Sequence, residues 1–111
     1  MPDALEVVAA PRRREILRLV WDAERSAGEI AGAMPDVTFG AVSQHLRVLA
    51  DSRLVTVRLE GRFRYYAARK EALGSLQRVL EEMWDDALER LKTSAELEES
   101  RRGPARKRRM P

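Results

Sequence analysis

TFGAVSQHLRVLAD, residues 38–51, is the stretch whose reading decides the fold. Thr38 reads as an N-cap, because its hydroxyl can accept a hydrogen bond from an unpaired amide of the first helical turn. After it, Phe39, Val42, Leu46 and Leu49 recur at helical spacing and define one buried face. At 100° per residue the opposite face holds Gly40, Gln44 and Arg47, with Ser43 and Val48 on its shoulders. No acid stands between Thr38 and Ala50. Small and amide groups beside one arginine can enter a major groove and read base edges, where a carboxylate would meet phosphate repulsion. The alternative is an ordinary amphipathic helix with a solvated polar side.

Working back towards the N-terminus, Ser26-Ala27-Gly28-Glu29 has the S-x-x-E form of a capping box. It opens a helix that turns Ile30, Ala31 and Met34 inward, and Pro35 ends it, since the residue before a proline is pushed out of the helical region. The link Pro35-Asp36-Val37 is short, and two short helices so joined have the size of a helix-turn-helix. Further back, Pro11 suits the first position of another helix, with Ile16, Leu17, Val20 and Trp21 as its core face. Arg12, Arg13 and Arg14 sit in its first turn, where the helix dipole disfavours positive charge. They serve either an anion such as DNA phosphate or simply a solvated charge cluster. Residues 3–9 form a short first helix with Leu5 and Val8 on one side.

Working forward, the period changes from helical to alternating. In LVTVRL (54–59), Val55, Val57 and Leu59 point one way and Thr56 and Arg58 the other. Glu60-Gly61 supplies a two-residue turn, and the return strand from Arg62 to Ala67 separates Phe63, Tyr65 and Ala67 from Arg62, Arg64 and Tyr66. Arg58, Arg62 and Arg64 around the tip make this hairpin a candidate wing for phosphate contact, or else ordinary surface arginines. From Arg69 a helical period runs to about Glu96 through Leu73, Leu76, Leu80, Met83, Ala87 and Leu91, widened by Val79, Trp84 and Leu88. A small domain has little surface to cover so long an apolar face. The simplest account pairs Leu76, Leu80, Met83, Trp84, Ala87 and Leu91 with a second copy, helped by Leu5 and Val8; the other is a fold back onto its own domain.

The totals narrow the classes. The 111 residues fit one domain with a modest core. The absence of cysteine excludes disulfides, thiolate metal sites and cysteine nucleophiles. The net charge of +3 is unevenly spread: Arg101, Arg102, Arg106, Lys107, Arg108 and Arg109 follow the last acid, leaving residues 1–99 at a net of −3. The segment 97–111 lacks apolar periodicity and reads as a basic tail, disordered or weakly helical, that either adds non-specific DNA affinity or is a harmless extension. The start, MPDALEVVAA, lacks a basic region and a long apolar run, and no segment reaches the roughly 20 apolar residues of a membrane span. A soluble cytoplasmic protein is expected.

The order of elements together with RREIL (13–17), GEIA (28–31), AVSQHLRVL (41–49), RLVTVRLEGRFRYY (53–66) and LEEMWDDALERL (80–91) resembles the ArsR/SmtB family of bacterial winged-helix transcriptional regulators over about residues 5–95. The last segment further resembles a cysteine-free branch whose genes often accompany SRPBCC-type (START-like) ligand-binding proteins. The resemblance implies a homodimer that binds imperfect inverted repeats near promoters and represses until an effector releases it. It also implies that Ser43, Gln44 and His45 touch DNA from the reading helix and Arg62 from the wing tip. From the helical wheel alone His45 lies at the edge of the apolar face, and a hydrogen-bonded structural histidine is the alternative. Two departures stand out. Many relatives carry glycine before the LV of the first wing strand, where Arg53 stands here, so that turn is expected to close differently. The last helix has Asp85, Asp86 and several glutamates but no histidine, so metal sensing is not expected.

The expected architecture is therefore mainly α with a small β-hairpin, a winged helix-turn-helix in the order α-α-α-α-β-β-α that dimerises through its first and last helices. Residues 1–96 would form the DNA-binding and dimerisation domain. The expected function is sequence-specific DNA binding in transcriptional regulation, as a dimeric repressor on an inverted-repeat operator. Its DNA contacts would come from Thr38, Gly40, Ser43, Gln44, His45, Arg47, Arg58, Arg62 and Arg64. The alternative is a winged-helix protein–protein interaction module without specific DNA binding. No nucleophile–base set or Gly-rich phosphate loop suggests an enzyme, and no cofactor or metal is expected. The partners would be double-stranded DNA, a second copy, and a small-molecule effector of unspecified chemistry, with no membrane.

Overall fold

The computed structural model describes residues 3–87. The chain divides after Gln77 into two compact units. In the first, α1 (Ala4–Val8), α2 (Pro11–Leu19), α3 (Ala27–Gly32) and α4 (Phe39–Asp51) precede a hairpin of β2 (Val55–Glu60) and β3 (Phe63–Ala68). A two-residue strand, β1 (Arg25–Ser26), adds to the hairpin and gives an antiparallel sheet of order β1-β3-β2. A 3₁₀ turn (Lys70–Leu73) follows, and residues 76–87 are helical (α5). Leu91 and the basic tail lie outside the described residues.

Local chemistry sets most boundaries. Ser26 caps α3 reciprocally with Glu29, as its sequence requires, and Asp3 does the same for α1 with Glu6. Pro11 is the first residue of α2. α3 ends at Gly32, two residues before Pro35 would force it, so the link to α4 spans 33–38 rather than three residues. Met34, fully buried, anchors that link. The sheet, α2 and α3 all pack on α4, whose Val42, Leu46 and Leu49 are at most 2% exposed. Ile16, Leu17, Val20, Ile30 and Tyr66 complete the core around them.

Phe39 departs from the expectation that it shares this face: it is 61% exposed. It occupies the first helical position of α4. The last helical region also differs. The period from Arg69 is interrupted because Gly74, at φ 57° and ψ −131°, ends the 3₁₀ turn in a conformation only glycine adopts readily. The apolar spacing continues across the break and so conceals it.

The end of α4 closes on an arginine in the left-handed region. Arg53 has φ 61°, its N–H donates to Ala50 at 3.0 Å, and the Leu54 N–H donates to Leu49 at 3.0 Å. These two bonds form a Schellman motif, and its flanking residues Leu49 and Leu54 are both buried. The turn thus closes as it would with glycine, contrary to the expectation from sequence, and Arg53 bears the strain. The αL conformation costs an L residue roughly 1–2 kcal/mol, while glycine's extra freedom in the unfolded chain offsets about 0.5–1 kcal/mol. Arg53→Gly is therefore expected to stabilise the domain by about 0.5–1 kcal/mol, raising the melting temperature by about 2–8 °C. Thermal denaturation at fixed protein concentration checks this, and an unchanged or lower midpoint would show the arginine to be unstrained.

Candidate nucleic-acid interface

Thr38 accepts a hydrogen bond from the Ala41 N–H at 3.1 Å, which fixes where the reading helix begins. From that start, Phe39, Ser43 and Arg47 fall at intervals of four and form one stripe. The stripe makes one bank of an open groove of about 660 Å³. The hairpin supplies the other bank through Val57, Arg62, Phe63 and Arg64, and Ser26–Gly28 lie at its edge. Asp51, at the far end of α4, is the only carboxylate among its described lining residues.

The hairpin register decides which arginines face the groove. Val57 pairs with Tyr66 and Leu59 with Arg64, so these four share a face, while Arg58 pairs with Tyr65 on the other. Exposure along the groove-side strand rises from Val55 at 4% through Val57 at 41% to Leu59 at 67%, as the hairpin runs out from the core. Glu60 pairs with Phe63, which makes Gly61 and Arg62 the turn residues, one position later than Glu60-Gly61. Gly61, at φ 62°, takes the first central position that a type II′ turn reserves for glycine. Arg62 thereby stands at the tip.

Arg58 does not belong with the other wing arginines. It donates to both oxygens of Glu24, to Oε1 at 2.5 Å from Nη2, and to Glu60 at 2.6 Å. Its guanidinium also lies 4.7 Å from the centre of the Tyr65 ring. These carboxylates hold its pKa above the usual arginine value, and Arg58 in turn holds Glu24 below the carboxylate range. Its charge is answered within the protein and faces away from the groove. Arg47, Arg62 and Arg64, by contrast, form no salt bridge with any described residue.

Gln44 and Gly40 are exposed on the outer side of α4. His45 is half-buried and is absent from the groove's lining. Burial, and then the charges of Arg13 and Arg12, push its pKa below the ordinary histidine value, which favours the neutral imidazole. Its Nδ1 is buried with no hydrogen-bond partner, so the hydrogen-bonded structural histidine is not what the structure contains on that side.

The first-turn arginines of α2 have a use that the sequence did not suggest. Arg13 Nε donates to the Val7 carbonyl at 2.9 Å, and Arg14 Nη1 donates to the carbonyls of Val8 and Ala9 at 2.9 and 3.1 Å. They satisfy the open C-terminal carbonyls of α1, whose dipole end attracts cations. Arg12 pairs with Glu15 and with Asp36, which ties α2 to the link before α4 and lowers the Asp36 pKa. All three are therefore occupied in holding the scaffold.

Of the residues assigned to a dimer face, Leu5 is 63% and Met83 39% exposed. Leu76 and Trp84 are half-buried and Ala87 is exposed. Val8 and Leu80, at 5% and 3%, are already buried in the single chain and have almost no surface to lose to a partner. For Val8 the cause is the packing of α1 on α2. Val79, at 55%, offers more apolar surface than either.

Residues 8–58 match the family model of a helix-turn-helix domain. The HTH-type transcriptional regulator Rv2034 of Mycobacterium tuberculosis is 38% identical over 88 residues, spanning 78% of this chain and 81% of that protein. A solved structure of a possible transcriptional regulator for arsenical resistance is 39% identical, with a TM-score of 0.64 over 85% of this chain and 97% of its own. The homodimeric winged helix-turn-helix DNA-binding domain of Mb0332 from Mycobacterium bovis, a possible ArsR-family regulator, is 30% identical, with a TM-score of 0.61 over 73% and 74%. The likeness spans the reading helix, the hairpin and the helices that support them. The chain belongs to the ArsR family of winged helix-turn-helix transcriptional regulators.

Proposed function

We propose that the protein acts as a homodimeric repressor that binds an inverted-repeat operator. The observation that carries this reading is the outer face of α4. It bears no carboxylate from Thr38 to Ala50 and adjoins a groove that gathers Arg47, Arg62 and Arg64. Gln44 is suited to the N6 and N7 of an adenine, and Ser43 to either base of a pair. Gly40 lets the helix approach closely, and Thr38 with Arg47, Arg62 and Arg64 fixes its register on the phosphates.

A second copy paired through the first and last helices would set two reading helices roughly 34–36 Å apart, one turn of B-DNA. The homodimeric state of the Mb0332 domain supports this pairing. Among the described residues no helix is long and apolar enough to cross a membrane, and a DNA partner supports a cytoplasmic location. No described side chain identifies an effector.

The test titrates the full chain against the DNA upstream of its own gene and a shuffled duplex of equal length, across several salt concentrations. A preference of roughly a thousandfold or more at physiological salt is expected. Equal binding with a steep salt slope on this and on every other promoter fragment would leave a scaffold that binds a protein partner instead.

A further inference from the structure

The exposure of Phe39 is explained neither by the core nor by any described partner. We infer that Phe39 is itself a base-reading residue whose ring contacts a thymine C5-methyl in the major groove; this rests on the DNA-reading role proposed above. Val42, Leu46 and Leu49 complete the buried face of α4 without it. Helical side chains lean towards the N-terminus, so the ring at the first helical position projects beyond the start of α4. In helix-turn-helix proteins that end of the reading helix reaches the base edges.

The surroundings select the partner. Phe39 shares its stripe with Ser43 and Arg47, and its groove with Arg62 and Arg64. Arg47, Arg62 and Arg64 form no salt bridge with any described residue and outnumber Asp51, the groove's one described carboxylate, which favours a polyanionic occupant. An aromatic hydrocarbon ring can neither donate nor accept a conventional hydrogen bond. Among the features that base pairs present in the major groove, the thymine methyl is the apolar one. Val57, 41% exposed in the same groove, extends an apolar lining from the helix towards the wing.

The experiment begins by selecting the preferred duplex of the full chain from a randomised pool. Each thymine of that duplex is then replaced in turn by deoxyuridine, which removes only the methyl. Affinities are measured for the wild type, Phe39→Ala and Phe39→Leu. At one thymine in each half-site the swap is expected to weaken wild-type binding about fourfold, the worth of one buried methyl. Phe39→Ala should bind the thymine duplex more weakly and be indifferent to that swap, while Phe39→Leu retains part of the sensitivity. Because the ring is exposed, both variants should melt with the wild type. If every swap affects wild type and Phe39→Ala alike on a duplex that is still bound selectively, Phe39 does not read thymine and the regulator reading stands. A pool that yields no preferred sequence removes both.

Discussion

Leu49→Ala is expected to destabilise the domain by about 3 kcal/mol, within the range of roughly 2–5 for leucine truncation in a core. Leu49 is fully buried on the helix against which α2, α3 and β2 all pack. Its carbonyl also accepts from the Leu54 N–H in the motif that closes α4, so the residue serves both the core and the start of the wing. Domains of this size are stable by only about 5–15 kcal/mol, and each kcal/mol moves the midpoint by about 4–8 °C. The melting temperature should therefore fall by about 12–24 °C at fixed protein concentration. Gln44→Ala, on the exposed side of the same helix, should leave it within a few degrees, since surface changes stay within about 0.5 kcal/mol. Equal midpoints for the two variants would mean that α4 does not face the core as described.

That asymmetry of α4 was legible because the signals are local. The Thr38 cap, the Ser26–Glu29 box and Pro11 at a helix start each depend on partners three residues away or on proline's fixed φ. Three of four residues placed on the buried face by period alone are buried; Phe39 is not, because periodicity says which side a residue takes and not where covering elements end. The Asp3–Glu6 box has the same form as Ser26–Glu29 and was there to be read. What escaped the sequence crosses element boundaries. Arg58 meets Glu24 across 34 positions, and Arg13 and Arg14 reach back six residues over the break between α1 and α2 to carbonyls of α1, so neither kind of partner follows from helical or strand spacing. β1 is too short to alternate, and it joins the sheet through pairing of Arg25 with Tyr66.

The same contrast divides the arginines functionally. Charge clusters alone marked Arg12, Arg13, Arg14 and Arg58 as candidates as readily as Arg62 and Arg64. The structure separates those whose charge is answered within the fold from those aimed into an open groove. An unpaired guanidinium beside a carboxylate-free helix face is free to exchange water and counterions for phosphate, whereas Arg58 would first have to leave two carboxylates.

Gln44→Ala and Arg62→Ala should then fail in different ways. Gln44 lies on the outer side of α4, where a bidentate contact to adenine discriminates by about 1–3 kcal/mol. On an inverted repeat a dimer loses that contact twice. Even about 1 kcal/mol per half-site amounts to about 2 kcal/mol, or roughly a 30-fold loss of operator affinity, with non-specific binding unchanged. The discrimination against an altered adenine position should collapse in the same variant. Arg62, at the turn of the hairpin, forms no salt bridge with any described residue, and under the proposed function its contact is expected to be to phosphate. Arg62→Ala should weaken operator and random duplex by the same factor and reduce the salt slope by about 1 per protomer engaged. Mobility-shift titrations of both variants on operator, point-altered operator and random DNA over a salt series separate the two patterns. Parallel losses on all three duplexes for Gln44→Ala, or a sequence-dependent loss for Arg62→Ala, would reverse the division between reading helix and wing.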